Sequence, residues 1–111
     1  MQVLLQVIGL PSSPADAAAV FHTEWLPLVR EGIARLSGED RALLLVLPKA
    51  DHTHAEWRLA AVAMLAREAA PVRVNLVGCD DAQAVEKFAD YLGRAPGVTG
   101  QYFPSNFQLG R

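Results

Sequence analysis

The chain has 111 residues, of which 51% are hydrophobic and 20% charged, a composition typical of one ordered globular domain. Its formal net charge of −2, without a basic cluster, argues against a nucleic-acid partner. The longest apolar run, Ala42 to Pro48, is too short to span a bilayer and the amino terminus lacks the pattern of a secretory signal, so we expect a cytoplasmic protein with no membrane partner.

The first predicted element is a strand from Gln2 to Gly9, in which one face is apolar and the other includes two glutamines. A helical pattern then runs from Ala15 to Leu36, and Ser13 is suited to be its N-cap. Pro27 lies inside this helix and removes one backbone hydrogen bond. The pattern therefore predicts either a kink or a fresh helix start capped by Thr23.

The second predicted strand, Ala42 to Pro48, is apolar on both faces, which is typical of a central parallel strand covered on both sides. Thr53 and Glu56 have the spacing of a capping box, in which each side chain bonds the other residue's backbone amide. They predict the beginning of a helix that continues to about Ala70, where Pro71 ends it.

The remaining predicted elements are a third strand, Val72 to Gly78, a third helix and a short fourth strand, Val98 to Phe103. Asp80 and Gln83 have the spacing of N-cap and N3 residues for that helix. Alternating strands and helices with connections of this length indicate parallel pairing in one sheet. We therefore predict one α/β domain over residues 1–111, with a four-stranded parallel sheet and three helices.

Five stretches of this chain resemble, in order, the C-terminal half of the short-chain dehydrogenase/reductase family: "QVLLQVIG", "AVFHTEWLPL", "RALLLV", "LAAVAMLAREAAPVRVNLV" and "AVEKFADYLGRAPGVTGQYF". The third and fourth are similar to that family's "GRIVNVSS" strand and to the helix that leads to "RVNAVAPG". The resemblance implies a truncated Rossmann-like fold in three layers, with the last helix on the opposite face of the sheet from the others. It also implies hydride chemistry on a nicotinamide cofactor, provided that the catalytic residues are kept.

The catalytic residues implied by the resemblance are absent from this sequence. The family's Tyr-x-x-x-Lys falls at Ala55 and Leu59, whose side chains cannot exchange a proton or bind a ribose. Its serine falls within Val46 to Pro48, where there is no hydroxyl. No Gly-x-Gly-x-x-Gly occurs to hold a pyrophosphate. We therefore predict no catalytic residues, no cofactor-binding residues and no NAD(P) binding.

Polar residues follow two neighbouring predicted strands, at the edge where an open α/β sheet binds ligands. They are Asp51, His52, His54, Cys79, Asp80 and Asp81. Helix capping and solvated loops account for most of them, and no tight ligand spacing is present, so we predict no metal site. Two alternatives remain open: a crevice that binds a small molecule or a nucleotide fragment, and an enzyme with a new Cys/His/Asp site.

The predicted function is association, either as a homodimer or as a hetero-oligomer with another protein. In the full family fold the first strand pairs with a strand that this chain lacks, so it is an unprotected sheet edge here. Trp25 and Trp57 on the long helices are the alternative interface candidates, since large aromatic side chains often dominate interfaces. The helical interface is slightly favoured because these helices carry the larger apolar side chains.

Overall fold

A computed structural model describes residues 2–36 and 41–108 of the chain. Its strands are β1 Gln2–Gln6, β2 Ala42–Leu47, β3 Arg73–Gly78 and β4 Tyr102–Pro104, and its helices are α1 Pro14–Val20, α2 Leu26–Ala34, α3 Ala55–Ala69 and α4 Ala82–Gly93. The strands form one sheet in the order β1–β2–β3–β4, and every neighbouring pair is parallel. The predicted fold class, a four-stranded parallel α/β sheet with three helical connections, is confirmed.

The sheet is covered on both faces, so the molecule has three layers. One face packs against α1, α2 and α3 through a cluster that includes Phe21, Val29 and Leu65. The other face packs against α4 through a smaller cluster that includes Phe88 and Leu92. Because each strand is added on the same side of its predecessor, the crossover through α4 has the opposite hand to the first two. This is the layer arrangement that the resemblance implied.

Strand β2 explains why both layers are needed. All six of its residues are buried, and successive side chains point to opposite faces of the sheet. Leu43, Leu45 and Leu47 join the cluster under α1–α3, whereas Leu44 and Val46 join the cluster under α4. Each buried leucine contributes about 1.5–3 kcal/mol relative to an exposed one. Leaving either face of β2 uncovered would lose several of these contributions. The prediction that β2 is covered on both faces is confirmed.

The first helical connection begins at its predicted N-cap, and a change of helix type precedes its proline. The Ser13 side chain accepts a hydrogen bond from the Asp16 amide, which confirms the N-cap. Of the two predicted alternatives, the fresh start capped by Thr23 is wrong, because the Thr23 hydroxyl donates back to the Ala19 carbonyl at 2.9 Å. A π-helical turn, Phe21–Trp25, joins α1 to α2 instead. This wider turn lets the helical path continue into the proline-containing segment without a new cap.

The caps of α3 and α4 each lie one or two residues from their predicted positions. Asp51, not Thr53, caps the turn that leads into α3: its carboxylate accepts from the Thr53 amide and hydroxyl, so the predicted capping box is wrong. Asp81, not Asp80, caps α4 by accepting from the Gln83 amide at 3.0 Å. In both places two polar residues that are one or two positions apart could serve as the cap, and at α4 the predicted one, Asp80, instead accepts from the Lys49 amide.

The strands at the two edges are shorter than predicted. Strand β1 ends at Gln6, although the Val7 amide still donates to the Val46 carbonyl at 2.8 Å. Strand β4 has only three residues, because Gly100 adopts a left-handed φ of 74° just before it. Within residues 2–36 and 41–108, no helix is long and apolar enough to cross a membrane.

A buried arginine closes the amino end of β3. The Arg73 Nη1 donates to the carbonyls of Leu92 and Ala95 at 2.9 and 3.0 Å, where α4 ends. Carbonyl groups at a helix C-terminus lack partners within the helix and carry partial negative charge. Arg73 therefore holds the end of α4 against the sheet.

Candidate functional site

The six polar residues predicted to share a crevice all lie near the carboxyl ends of β2 and β3, but they do not converge on one site. Asp51 and His54 line one cavity, together with Arg58. Cys79, Asp80 and Asp81 line another, next to α4. Lys49 borders both, and the predicted single crevice is therefore divided by the loop that follows β2.

The cavity beside α3, which we call the Arg58 cavity, has a volume of about 260 Å³. His54 is buried in its wall and uses both ring nitrogens. Its Nε2 is 3.1 Å from the Ser12 carbonyl, and its Nδ1 accepts the indole N–H of Trp57 at 3.1 Å. Since a carbonyl only accepts, this pairing assigns the proton to Nε2. His54 thus ties the β1–α1 loop to α3, and neither nitrogen is left for a metal ion or for proton transfer.

Arg58 projects from α3 into the same wall and is only 2% exposed. Its Nη1 donates to the Pro48 carbonyl at 2.8 Å and makes a longer contact of 3.4 Å with the Tyr102 hydroxyl. Its guanidinium also lies over the rings of Trp57 and Tyr102, 5.6 and 5.8 Å from their centroids. The side chain therefore links the carboxyl end of β2 to Tyr102, the first residue of β4.

Asp51 is the acidic group of the Arg58 cavity, and capping already engages it. Hydrogen bonds from the Thr53 hydroxyl and amide hold the pKa of the Asp51 carboxyl below its usual value. Asp51 is thus ionised at neutral pH and directed toward the helix start. His52 itself is exposed and lines neither cavity.

The three residues after β3 are likewise engaged in local structure. The Asp80 carboxylate accepts from the Lys49 amide at 2.9 Å, which joins the loop after β2 to the loop after β3. Cys79 is buried, and its Sγ lies 3.7 Å from the Asp81 carbonyl. In the part of the chain that the structure describes, no group of three or more His, Cys, Asp or Glu residues is arranged to hold a metal ion.

The positions that correspond to the family's catalytic residues carry no reactive group in the structure either. Ala55 lies half-buried at the start of α3, and Leu59 is 48% exposed on its surface. The side chains that reach the crevice are those one residue earlier, His54 and Arg58, which are also four residues apart. Sequence reasoning missed Arg58 altogether. The available signal was its position one turn before Val62 and two turns before Leu65, which puts a charge in line with the buried stripe of α3.

A second feature lies at the open edge of the sheet. Within residues 2–36 and 41–108, strand β1 has a neighbour on one side only. Three apolar residues in or just after β1 are exposed: Val3, Leu4 and Ile8, at 38%, 47% and 64%. Leu4 and Gln6 form the floor of a groove of about 500 Å³ whose other wall is α4, including Val85 and Ala89. We call this feature the β1–α4 groove. It is where the second face of the sheet lacks cover over β1.

The two tryptophans predicted as interface residues are partly buried and pack against the core of their own chain. Trp57 contacts Phe21, with 5.5 Å between ring centroids, in addition to its hydrogen bond to His54. The role of Trp25 and Trp57 in an interface stays a prediction. Part of each side chain is already committed to intramolecular contacts.

Comparison with known proteins agrees with this architecture. The family model described as "Short chain dehydrogenase-like protein" matches residues 5–105, which is nearly the whole chain. No curated protein and no solved structure matches it. The matched region includes all three helical connections and every strand from the middle of β1 to β4. The chain therefore belongs to the short chain dehydrogenase-like family.

Proposed function

We propose that this protein is a non-catalytic member of its family that acts by self-association through the edge of β1. The observation that carries the proposal is the combination of an unpaired strand edge with exposed apolar side chains on the same strand. The replacement of the family's catalytic positions by alanine and leucine removes the reason to expect hydride transfer. Association is then the function that the remaining surface supports best.

The backbone of β1 offers a template for a further strand. The Val7 amide donates to β2, and backbone groups of successive residues point to alternate sides of a strand. The amide and carbonyl groups of Leu4 and Gln6 therefore point away from β2, toward the open edge. Unpaired edge groups of this kind readily pair with another chain. Two copies related by a two-fold axis would place their β1 strands antiparallel and join the two sheets into one.

The side chains of β1 suit such pairing. Residues 2–10 contain no charged side chain, so two copies meet without like-charge repulsion. There is no proline or lysine within β1, the residues that commonly protect edges. Pairing would also cover Leu4 and extend the floor of the β1–α4 groove from one copy into the next, which removes apolar surface from water.

The helical interface remains the competing mode of association. Leu28 on α2 and Leu59 on α3 are 51% and 48% exposed, so that layer also presents apolar side chains. They are single residues beside exposed charges such as Arg30 and Glu68, which already form an ion pair with each other. We favour the strand edge because, within the described residues, it combines outward backbone groups that pair with no strand and an exposed apolar side chain, Leu4.

Sedimentation equilibrium of the purified chain at micromolar concentration tests the proposal. We expect a mass of twice 12.0 kDa for the wild type. Leu4→Lys should yield monomer, because an ammonium at this position would be brought close to its symmetry mate in the paired sheet. The lysine can extend into solvent in the monomer, so circular dichroism should stay unchanged.

Leu28→Lys and Leu59→Lys are the matched controls, since they add the same charge at equally exposed leucines of the helical layer. Both should leave the dimer intact. Dissociation by either control, with a stable dimer in Leu4→Lys, would move the interface to the helices. A monomeric wild type would end the proposal of self-association. Leu5→Lys is unsuitable as a test, because Leu5 packs against the core under α1–α3.

A further inference from the structure

One edge of the Arg58 guanidinium is hydrogen-bonded, and the other has no hydrogen-bond partner among the described residues. Nη1 makes both of its hydrogen bonds, to the Pro48 carbonyl and the Tyr102 hydroxyl. Nε is buried without a hydrogen-bond partner, and Nη2 donates to no residue within 2–36 and 41–108. The Nε–Nη2 edge is the fork with which arginine binds a carboxylate through two parallel hydrogen bonds.

Arg58 also lacks a counter-charge. Among residues 2–36 and 41–108, no carboxylate lies within ion-pair distance of it. Burying a cation without an anion is costly, and aromatic rings offset only part of this cost. A ligand that brings a negative charge to the guanidinium would therefore gain both an ion pair and the missing hydrogen bonds.

The surrounding backbone is shaped to keep the guanidinium at this position. A Cβ atom at Gly78 would lie 2.6 Å from Nη1 of Arg58 and 2.9 Å from the Tyr102 hydroxyl. Only glycine at the end of β3 allows the arginine to cross the strand to Tyr102. Stacking on two rings and two contacts at Nη1 orient the guanidinium so that Nε is left buried without a hydrogen-bond partner.

The rest of the Arg58 cavity combines apolar and cationic surface. Leu10, Pro11 and Pro48 supply apolar walls, and Lys49 adds a second cation. Asp51 is the one acidic residue of the lining, and its carboxylate is turned to Thr53. The volume of about 260 Å³ is just below the range of about 300–1,000 Å³ that is typical of ligand pockets. A small organic anion with an apolar body matches this lining better than a nucleotide does.

We propose that the Arg58 cavity binds a small organic carboxylate, which takes two hydrogen bonds from Nε and Nη2 of Arg58 while its apolar part contacts Leu10 and Pro48. Because Nε has no accessible surface, the ligand draws the guanidinium toward the cavity and lengthens the 3.4 Å contact with Tyr102. This cavity includes no residue of β1, so the carboxylate proposal and the self-association proposal are tested separately.

Titration of the full chain with benzoate, followed in proton–nitrogen correlation spectra at constant ionic strength, tests the proposal. The Nε–H signal of Arg58 should move saturably, with a dissociation constant of about 1 mM or below for a ligand of this size. Benzamide, a neutral compound of the same shape, should have no effect. Arg58→Lys keeps the charge but loses the fork, and should weaken benzoate binding at least tenfold. Arg67→Lys, at an exposed arginine of the same helix, should bind like the wild type.

Three results would overturn the proposal: no saturable shift in the wild type, an equal shift with benzamide, or unchanged affinity in Arg58→Lys. Tighter binding of inorganic phosphate than of benzoate would also overturn it, in favour of a phosphate site. If Arg58→Lys does not fold, the comparison of benzoate with benzamide on the wild type still tests whether the cavity requires a carboxylate.

Discussion

The two faces of the sheet differ in how completely they are covered. Under α1, α2 and α3 the core extends from β1 to β3 and includes Val7, Leu45 and Leu76. Under α4 the cluster extends from β2 to β4, and Leu4 and Gln6 of β1 are left at the floor of a groove. The same four strands thus form a closed face and an open face, and the difference is confined to β1.

This difference connects the family membership to the proposed function. A single helix on the open face covers less of the sheet than the helical layer on the other face. The Gln2 side chain of β1 donates to the Ala89 carbonyl of this helix at 2.8 Å, but Leu4 stays 47% exposed. Apolar surface at an edge strand is therefore what remains for another chain to bury. The open face lacks the cover of α4 over β1, and this part lies beside the strand edge that we assign to association.

Matched phenylalanine truncations should show the largest effect and test whether the two faces differ in rigidity. Phe21→Ala, on the closed face, should lower the free energy of unfolding by close to 5 kcal/mol, because a fully buried ring is removed from a core that cannot collapse around the space. Phe88→Ala, on the open face, should cost nearer 3 kcal/mol. Its neighbour Phe107, 6.4 Å away between centroids, is 46% exposed and can move inward.

Urea unfolding at one fixed protein concentration measures both values, since dimerisation makes apparent stability depend on concentration. A larger cost for Phe88→Ala than for Phe21→Ala would contradict the assignment of the open face as the more adaptable one.

A smaller effect is expected at the start of α3, on the closed face. The pKa of Asp51 is lowered in the folded chain, chiefly by the Thr53 hydroxyl and then by the Thr53 amide. Its carboxylate therefore stabilises the fold above the unfolded-state pKa, and this contribution disappears as the pH falls through the lower, folded-state pKa. Asp51→Ala should lower the melting temperature at pH 7, and the difference from wild type should shrink to nothing in acid.

Asp81→Ala, which removes the corresponding cap of α4, is the control on the open face. It should also lower the melting temperature at pH 7, since either aspartate holds a backbone amide that the helix leaves unpaired. A difference between Asp51→Ala and wild type that persists unchanged at acid pH would contradict the role given to the Asp51 carboxylate.

The sequence predicted the sheet well because several independent features mark its strands. The uninterrupted apolar run in β2 and the proline before β3 indicate buried parallel strands whatever the loops do. The caps were less predictable. Asp51 and Thr53 are both suitable caps, and the choice depends on the local turn, in which the Thr53 amide donates to Asp51. Asp80 and Asp81 are likewise both suitable, and Asp80 is engaged by the Lys49 amide of another loop.

The site was predicted only in outline, for a similar reason. Strand order places the loops after β2 and β3 side by side, so the edge itself could be foreseen. The rotation of α3 could not be read from its pattern to within one residue. That rotation turns Leu59 to the surface and brings His54 and Arg58 into the cavity. Because of this rotation Arg58, in line with the apolar stripe of α3, is buried in the wall of the cavity.

Amide hydrogen exchange along β1 tests the central claim of association through this edge most directly. The Val7 amide bonds to β2 and should be protected at every protein concentration. The Leu4 and Gln6 amides point to the open edge, so we predict that they are protected at high protein concentration and exchange rapidly on dilution. Rapid exchange of Leu4 and Gln6 under conditions where the chain is dimeric would contradict the account.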